Sequence, residues 1–368
     1  MLVTEPDIEF IKKIKKTDAS FKNCMQCGNC SVVCSLSPED RPFPRKEMIY
    51  ATWGLSEILL GDPYIWQCYQ CGDCTQYCPR GVKPSEILAS IRQYSYLHYA
   101  RPRFMAKVLH KPALLPVAVF IPALIISLIM FAAGKFRIPA GPVNYSKFFP
   151  HGWLNSSFIV LTLVTLLAAW SGIRKFWINL DRQYSNLPKS TGLFKSLIKL
   201  RWEIILHSGF GKCETQKQRK TAHLLVFYGF FLLLGVTVYA IYAATTGKYP
   251  LSIRNPVKIL GNIAALMLFL GTGIMIFNRI TNKTDFGTTS YPDWLLLISL
   301  FLLTFSGVLV ETARYLNWSS AYFIYFIHLI LVWFIIIYLP YTKFGHFIYR
   351  LVALVFLQSR NTGDSSKD

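Results

Sequence analysis

The sequence predicts an all-α membrane protein, with a small soluble domain followed by six transmembrane helices. Three observations predict it. Six stretches are almost free of charge over about 20 residues, the length a helix needs to cross about 30 Å of hydrocarbon. Eight of the nine cysteines crowd into Cys24–Cys78, in two runs of equal spacing. The segments beside those runs read as helices rather than strands.

Composition supports the membrane assignment: 53% of the 368 residues are hydrophobic, and the mean hydropathy is +0.35. The first expected span starts at Ala113 (ALLPVAVFIPALIISLIMFAAG) and the second at Trp153 (WLNSSFIVLTLVTLLAAW). Spans three to six start at Ala222, Ile259, Trp294 and Ala321. A net charge of +20 raises nucleic-acid binding as a class, but its distribution follows the positive-inside rule instead. Ile173–Lys220, between spans two and three, carries eleven Lys/Arg against three acids, whereas Lys135–Lys147 and Lys248–Lys258 hold three Lys/Arg each. With six crossings, both termini and the cysteine segment are expected in the cytoplasm. MLVTEPDIEFIKKIKK lacks the apolar run of a signal peptide, so no cleaved leader is expected. On the reducing side of a membrane, clustered cysteines point to cofactor ligation rather than disulfides.

The cysteine runs are CMQCGNCSVVC from Cys24 and CYQCGDCTQYCP from Cys68. The spacing C-x2-C-x2-C-x3-C is the bacterial ferredoxin run for [4Fe–4S] clusters, in which the fourth cysteine reaches across to the other cluster. By that rule Cys24, Cys27, Cys30 and Cys78 hold one cluster, and Cys68, Cys71, Cys74 and Cys34 hold the second. Gly28 and Gly72 each follow a second cysteine, where the backbone must bend close to the inorganic core. Pro79 follows the last cysteine, whereas Ser35 stands at the matching place of the first run. Zinc would want cysteine pairs set for one tetrahedron, which a third cysteine repeated in both runs does not suit. The long spacer EMIYATWGLSEILL reads as helical, as does SEILASIRQYSYLHYA after Pro84.

Histidine inside a lipid-spanning helix is costly and usually functional. His328 lies well inside span six, and His346 follows 18 residues later. In one continuous helix that is five turns and about 27 Å, which puts both on one face. Pro340 between them is a kink site. His223 opens span three, and His151 precedes span two. His207 sits in the basic segment, where solvation or contact with a haem propionate suits it better than ligation. His98 and His110 read as interfacial and Cys213 as a spare thiol. Arg201, Lys212, Arg219 and Lys220 are candidate propionate partners that topology already explains.

Two resemblances add to this reading. WQCYQCGDCTQYCPRGV, with its helical surroundings, resembles the α-helical ferredoxins of succinate dehydrogenase iron–sulfur subunits and, more closely, of heterodisulfide reductase C. That likeness covers roughly the first hundred residues. HLILVWFIIIYLPYTKFGH resembles the last helix of the gamma subunit of respiratory nitrate reductase, a dihaem cytochrome b, over the five spans from His151 onward. The resemblance implies a haem b held by His223 and His346 near the clusters. The family's second ligand on span three would fall near Leu233, which cannot bind iron. An outer haem is still expected at His328, with His151 as the candidate partner although it sits about eight residues, or 12 Å, shallower.

The fold class expected is therefore all-α: a cytoplasmic α-helical ferredoxin domain with two [4Fe–4S] clusters, then a six-helix transmembrane cytochrome b domain. The expected divisions are 1–100 for the ferredoxin domain and 101–150 for an extra helix with its outer loop. Residues 151–350 form the cytochrome b domain, and 351–368 a cytoplasmic tail. Together the two parts resemble the membrane subunits of quinone-interacting membrane-bound oxidoreductases of sulfate-reducing microbes. That resemblance implies transfer from menaquinol through haem b and the clusters to two soluble flavin and iron–sulfur subunits like heterodisulfide reductase A. Adenylylsulfate reductase is the implied acceptor beyond them. No GxGxxG fingerprint is present, so flavin or nicotinamide chemistry belongs to partners. A fused CE-type heterodisulfide reductase subunit and a redox sensor of the quinone pool stay open. A transporter lacks the polar, broken midplane helices it would need.

Overall fold

The structure, a computed structural model, describes residues 5–38, 41–135, 137–207, 217–248, 251–281 and 290–360, with 217–219 as backbone only. Lys212, Cys213, the Arg219 side chain and residues 361–368 of the tail lie outside the described residues. Those described form helices and no strands.

The N-terminal domain begins with α1 (Ile8–Thr17), capped by Asp7, whose carboxylate accepts the Phe10 amide at 2.9 Å. Helix α2 (Asn29–Val32) and α5 (Asp73–Gln76) are single turns inside the two cysteine runs. Between them the spacer is helical as expected, in two pieces, α3 (Arg45–Thr52) and α4 (Ser56–Leu60). Gly54 makes the break at φ +74°, and a Cβ there would meet Ile11 Cδ1 at 2.7 Å. After Pro84, α6 (Pro84–Tyr99) forms as expected, with the proline in its first turn. Short α7 (Arg103–Leu109) leads to the membrane. His110 follows it, bonded through Nε2 to the Tyr341 carbonyl at 2.9 Å, a structural tie.

Among the described residues, six helices are long and apolar enough to span a bilayer. They are α8 (Leu115–Ala132), α10 (His151–Gln183), α13 (Lys217–Thr245), α14 (Pro256–Thr281), α15 (Tyr291–Tyr315) and α16 (Ala321–Tyr338). One-turn α9 (Tyr145–Phe148) precedes α10, and α11 (Leu193–Lys199) and α12 (Arg201–Leu206) precede α13. Helices α13 and α14 pack through small residues, as lipid-embedded helices do. A Cβ on Gly229 would lie 3.0 Å from the Ala264 carbonyl, and one on Gly271 3.0 Å from the Ala222 carbonyl.

Helix α10 runs 33 residues, about 50 Å, well beyond the hydrocarbon thickness. The excess comes from the start of the basic segment that follows span two. It is helical because Gly172, Phe176 and Leu180 recur every four residues and bury one stripe. That stripe enters the core of the N-terminal domain, beside Trp66, Tyr99, Tyr349 and Phe356.

The one continuous helix expected from Ala321 past His346 does not form. α16 stops at Tyr338, a 3₁₀ turn spans Leu339–Tyr341, and a separate α17 (Lys343–Ser359) begins. Pro340 cannot donate to an α ladder, and the Thr342 hydroxyl accepts the Phe344 amide at 3.3 Å to cap the new helix. His328 and His346 therefore lie on separate helices and share no helix face. α17 instead buries Tyr349, Ala353, Phe356 and Leu357 in the N-terminal core, so one hydrophobic core joins both parts of the chain.

Candidate functional site

The two cysteine runs trace the same backbone path. Gln26 and Gln70, between the first and second cysteines, sit at φ +60° and +55°; Gly28 and Gly72 sit at +86° and +98°. A glutamine in left-handed backbone is strained, and strain of this kind gathers at functional loops. The sequence signalled the glycines but not the glutamines. Each run then makes its single turn, carrying Cys30 on α2 and Cys74 on α5. The Asn29 amide joins the runs by donating to the Tyr77 carbonyl at 3.0 Å.

The thiols interleave. Cys24, Cys27 and Cys30 border one recess with Cys78, the last cysteine of the other run. Cys34 lies with Cys68 and Cys71, whose charges add to burial in pushing its thiol up to about 12. Burial likewise pushes Cys30 up to about 11 and Cys74 well above its ordinary value. Thiolates are thus unfavourable there unless a metal centre supplies positive charge, which deprotonates a coordinating thiol. Among the described residues no three such groups close around a single point as a one-ion site would. The eight cysteines are free of disulfides. Arg45 borders the first recess and donates from Nε to the Gln26 carbonyl at 3.1 Å, holding the strained turn. The Gln70 amide donates to Cys68 Sγ at 3.3 Å.

A second constellation lies where α17 and α13 meet the N-terminal domain. His346, in the first turn of α17, packs its ring 5.4 Å from the indole of Trp66. Burial and the charges of Arg92, Arg350, Lys343 and His223 hold its pKa well below the ordinary value, leaving the neutral imidazole that can bind a metal. His223 is near enough to take part in that effect. His207 joins them: its ring lies 5.0 Å from His223, its backbone is left-handed at φ +49°, and its buried Nδ1 has no partner among the described residues. The structure therefore gathers three histidines here; of the two sequence expectations for His207, solvation does not hold, and contact with a bound group is the one that fits this place. Two buried ring nitrogens without a partner among the described residues, His207 Nδ1 and the Trp66 Nε1 donor, beside two ligand-type histidines and two arginines suit a group with an iron and acidic edges. Of the expected propionate partners, Arg201 donates instead to the Ile198 carbonyl at 2.8 Å.

His328 stands apart. The Ser306 hydroxyl lies 2.9 Å from its Nδ1, and its Cε1 is 3.2 Å from where a Gly307 Cβ would be. The ring thus faces α15, whereas His151 opens α10 beside the aromatic layer of Phe148 and Tyr322. No contact among the described residues pairs the two.

Arg350 had no sequence signal beyond its place one turn after His346. Its Nη1 donates to the carbonyls of Trp66, Gln67 and Cys68 at 2.7, 3.1 and 3.4 Å. Its guanidinium lies 4.1 Å over the Tyr69 ring.

Comparison with known proteins follows this division. Residues 20–82 match the family described as a 4Fe-4S dicluster domain, and residues 105–365 match the family described as citrate utilization protein B. The citrate utilization protein B of Escherichia coli is 24% identical over 96% of this chain and 92% of its own length. A protein of Archaeoglobus profundus that is itself heterodisulfide reductase C-like is 40% identical over 21% of this chain and 42% of its own. The C2 component of the H2/formate:CoB-CoM heterodisulfide,ferredoxin reductase of Methanococcus maripaludis is 35% identical over 26% and 52%. The chain thus spans about half the length of these reductase relatives. No solved structure matches. An iron–sulfur module like heterodisulfide reductase C is fused to a six-helix membrane region, and through that region the chain belongs to the citrate utilization protein B family.

Proposed function

We propose that the chain is the membrane electron-transfer subunit of a quinone-dependent oxidoreductase. Cys24, Cys27, Cys30 and Cys78 hold one [4Fe–4S] cluster, and Cys68, Cys71, Cys74 and Cys34 the other. His223 and His346 hold a haem b, which supplies one-electron chemistry between quinone and clusters. The protein's part is to fix the imidazoles in neutral form, exclude water from the junction and keep the thiolates paired with iron. The observation that carries this reading is α17: it presents His346 to Trp66 and, one turn later, grips the backbone up to Cys68 through Arg350. The bond to Ser306 favours a single haem, with His328 and His151 as candidates for contact with menaquinone. Both termini and the iron–sulfur domain face the cytoplasm in this proposal, as the Lys/Arg asymmetry supports. Electrons then run from menaquinol to two soluble flavin and iron–sulfur subunits resembling heterodisulfide reductase A, serving sulfate respiration through adenylylsulfate reductase.

One observation favours a second reading. The match to the Escherichia coli protein covers nearly the whole chain, which suits a partner in citrate utilization with electrons running towards quinone. Affinity purification of the full chain from its native membrane tests both. Flavin and iron–sulfur subunits with adenylylsulfate reductase support the first, and a soluble partner that oxidises a carboxylic acid supports the second. A preparation without acid-labile sulfide and haem would overturn both.

A further inference from the structure

We propose that Trp66, held in place by Arg350, is the junction through which an electron passes between the group at His346 and the cysteine loop at Cys68. The proposal rests on the reading of His346 as a haem ligand and Cys68 as a cluster ligand.

Trp66 is fully buried and ends the 3₁₀ turn Tyr64–Trp66, two residues before Cys68. Its indole stacks on Tyr349 at 5.5 Å and 27°, meets Phe176 edge-on at 5.8 Å and lies 5.4 Å from the His346 imidazole at 34°. Two helices from distant parts of the sequence, α10 and α17, thus fix one ring. From imidazole to Cys68 the path is one ring contact and two peptide units, with no lipid between. Electron transfer slows steeply with the gap to be crossed, so a rigid, filled contact is what this position needs.

Two further observations separate the junction from ordinary core packing. Buried tryptophan usually finds an acceptor for its N–H, but Trp66 Nε1 has none among the described residues. Among the described residues nothing takes that N–H, which leaves it open to an acceptor on a bound group. The backbone leaving Trp66 is also clamped: Arg350 spends one nitrogen on three successive carbonyls, those of Trp66, Gln67 and Cys68. Arg350 lies four residues after His346 and so on the same face of α17. Any shift of that helix moves the imidazole and the cysteine loop together, which keeps their separation fixed.

The step moves one electron and no proton. A ferrous haem becomes ferric as an oxidised [4Fe–4S]²⁺ cluster becomes [4Fe–4S]⁺, or the reverse when flow is towards quinone.

The test uses the full chain in lipid nanodiscs, as wild type, Trp66→Phe, Trp66→Leu and Arg350→Lys. Equilibrium redox titrations follow haem absorbance and the cluster EPR signals; rapid mixing with menaquinol then follows both in time. In Trp66→Leu the two centres should be present with unchanged midpoint potentials. Haem reduction should keep its wild-type rate, while the cluster signal rises more slowly by about an order of magnitude. Trp66→Phe, which keeps a ring at the contact, should fall between. A Trp66→Leu protein that keeps its haem and fills its clusters at the wild-type rate overturns the junction. If Trp66→Leu loses haem or cluster, Arg350→Lys decides, because lysine lacks the planar guanidinium that lies over Tyr69 while reaching the three carbonyls; an unchanged rate there overturns it equally. Wild-type protein with clusters but no haem would overturn the underlying reading, and the junction with it.

Discussion

Gly172→Ala puts one methyl group where α10 crosses the N-terminal domain. The new Cβ would lie 2.5 Å from the Tyr349 hydroxyl and 3.1 Å from the Tyr99 carbonyl oxygen. Neither neighbour has room to retreat. Tyr349 is 4% exposed and packed between Trp66, Phe176 and Tyr99, and the Tyr99 hydroxyl is tied to the Leu60 carbonyl at 3.0 Å and the Asn179 amide at 2.6 Å. Overpacking of this kind costs about 1–3 kcal/mol. Alanine offsets up to about 1 kcal/mol through its better helix propensity. At 2.5 Å the clash belongs in the upper part of the overpacking range, about 2–3 kcal/mol. The net loss is then about 1–2 kcal/mol, a roughly 5- to 30-fold rise in the open population of the domain junction. Amide hydrogen exchange in α6 and α17 of the full chain reads that population directly. Gly273→Ala is the control, because a Cβ there meets nothing within 4 Å. It should leave exchange in α6 unchanged. Equal or slower exchange in Gly172→Ala would refute the docking of α10 against α17 and Tyr99.

The interleaved thiols predict a crossed pattern: Cys78→Ser should remove the EPR signal of the cluster that also depends on Cys27, and Cys34→Ser that of the cluster depending on Cys71. Loss following each run separately would contradict it. Gly271→Val should push α13 away from α14 at Ala222 and lower haem content through His223, while Gly273→Val leaves it unchanged; haem extraction per polypeptide reads both. Glu47 is buried, and desolvation with Asp62 nearby pushes its carboxyl from 4.5 up to about 8 despite the Lys46 ammonium at 3.2 Å. A carboxyl with a raised folded pKa holds its proton more tightly folded than unfolded, so stability falls as pH rises from about 4.5 to about 8. Thermal melts across that window should show the fall, and Glu47→Gln should flatten it; an identical pH profile in the variant would exclude Glu47 as its source.

Much of this was legible in the sequence because the signals are local. A lipid-spanning helix declares itself by length and lack of charge, and the cysteine runs by spacing within eleven residues. The glycines that turn the cysteine loops follow from chemistry at one position. What escaped was set by packing between distant segments. Gln26 and Gln70 are strained because the loops must close, which glutamine itself does not announce. Helix α10 outruns the bilayer because Phe176 and Leu180 find the N-terminal core, a partner about a hundred residues away in sequence. Pro340 was visible as a kink site, but the restart at Thr342 depended on α17 having somewhere to bury Tyr349 and Phe356. His207 reached the other two histidines only through tertiary folding.

The central claim is that quinone and clusters exchange electrons through the group held by His223 and His346. The most direct test is reduction of the clusters by menaquinol in full-length His223→Ala protein, read by EPR beside wild type. Dithionite should reduce the clusters of both proteins, showing them intact. Menaquinol should reduce those of wild type and leave those of the haem-free variant oxidised. Clusters filled by menaquinol in a His223→Ala protein without haem would contradict the account.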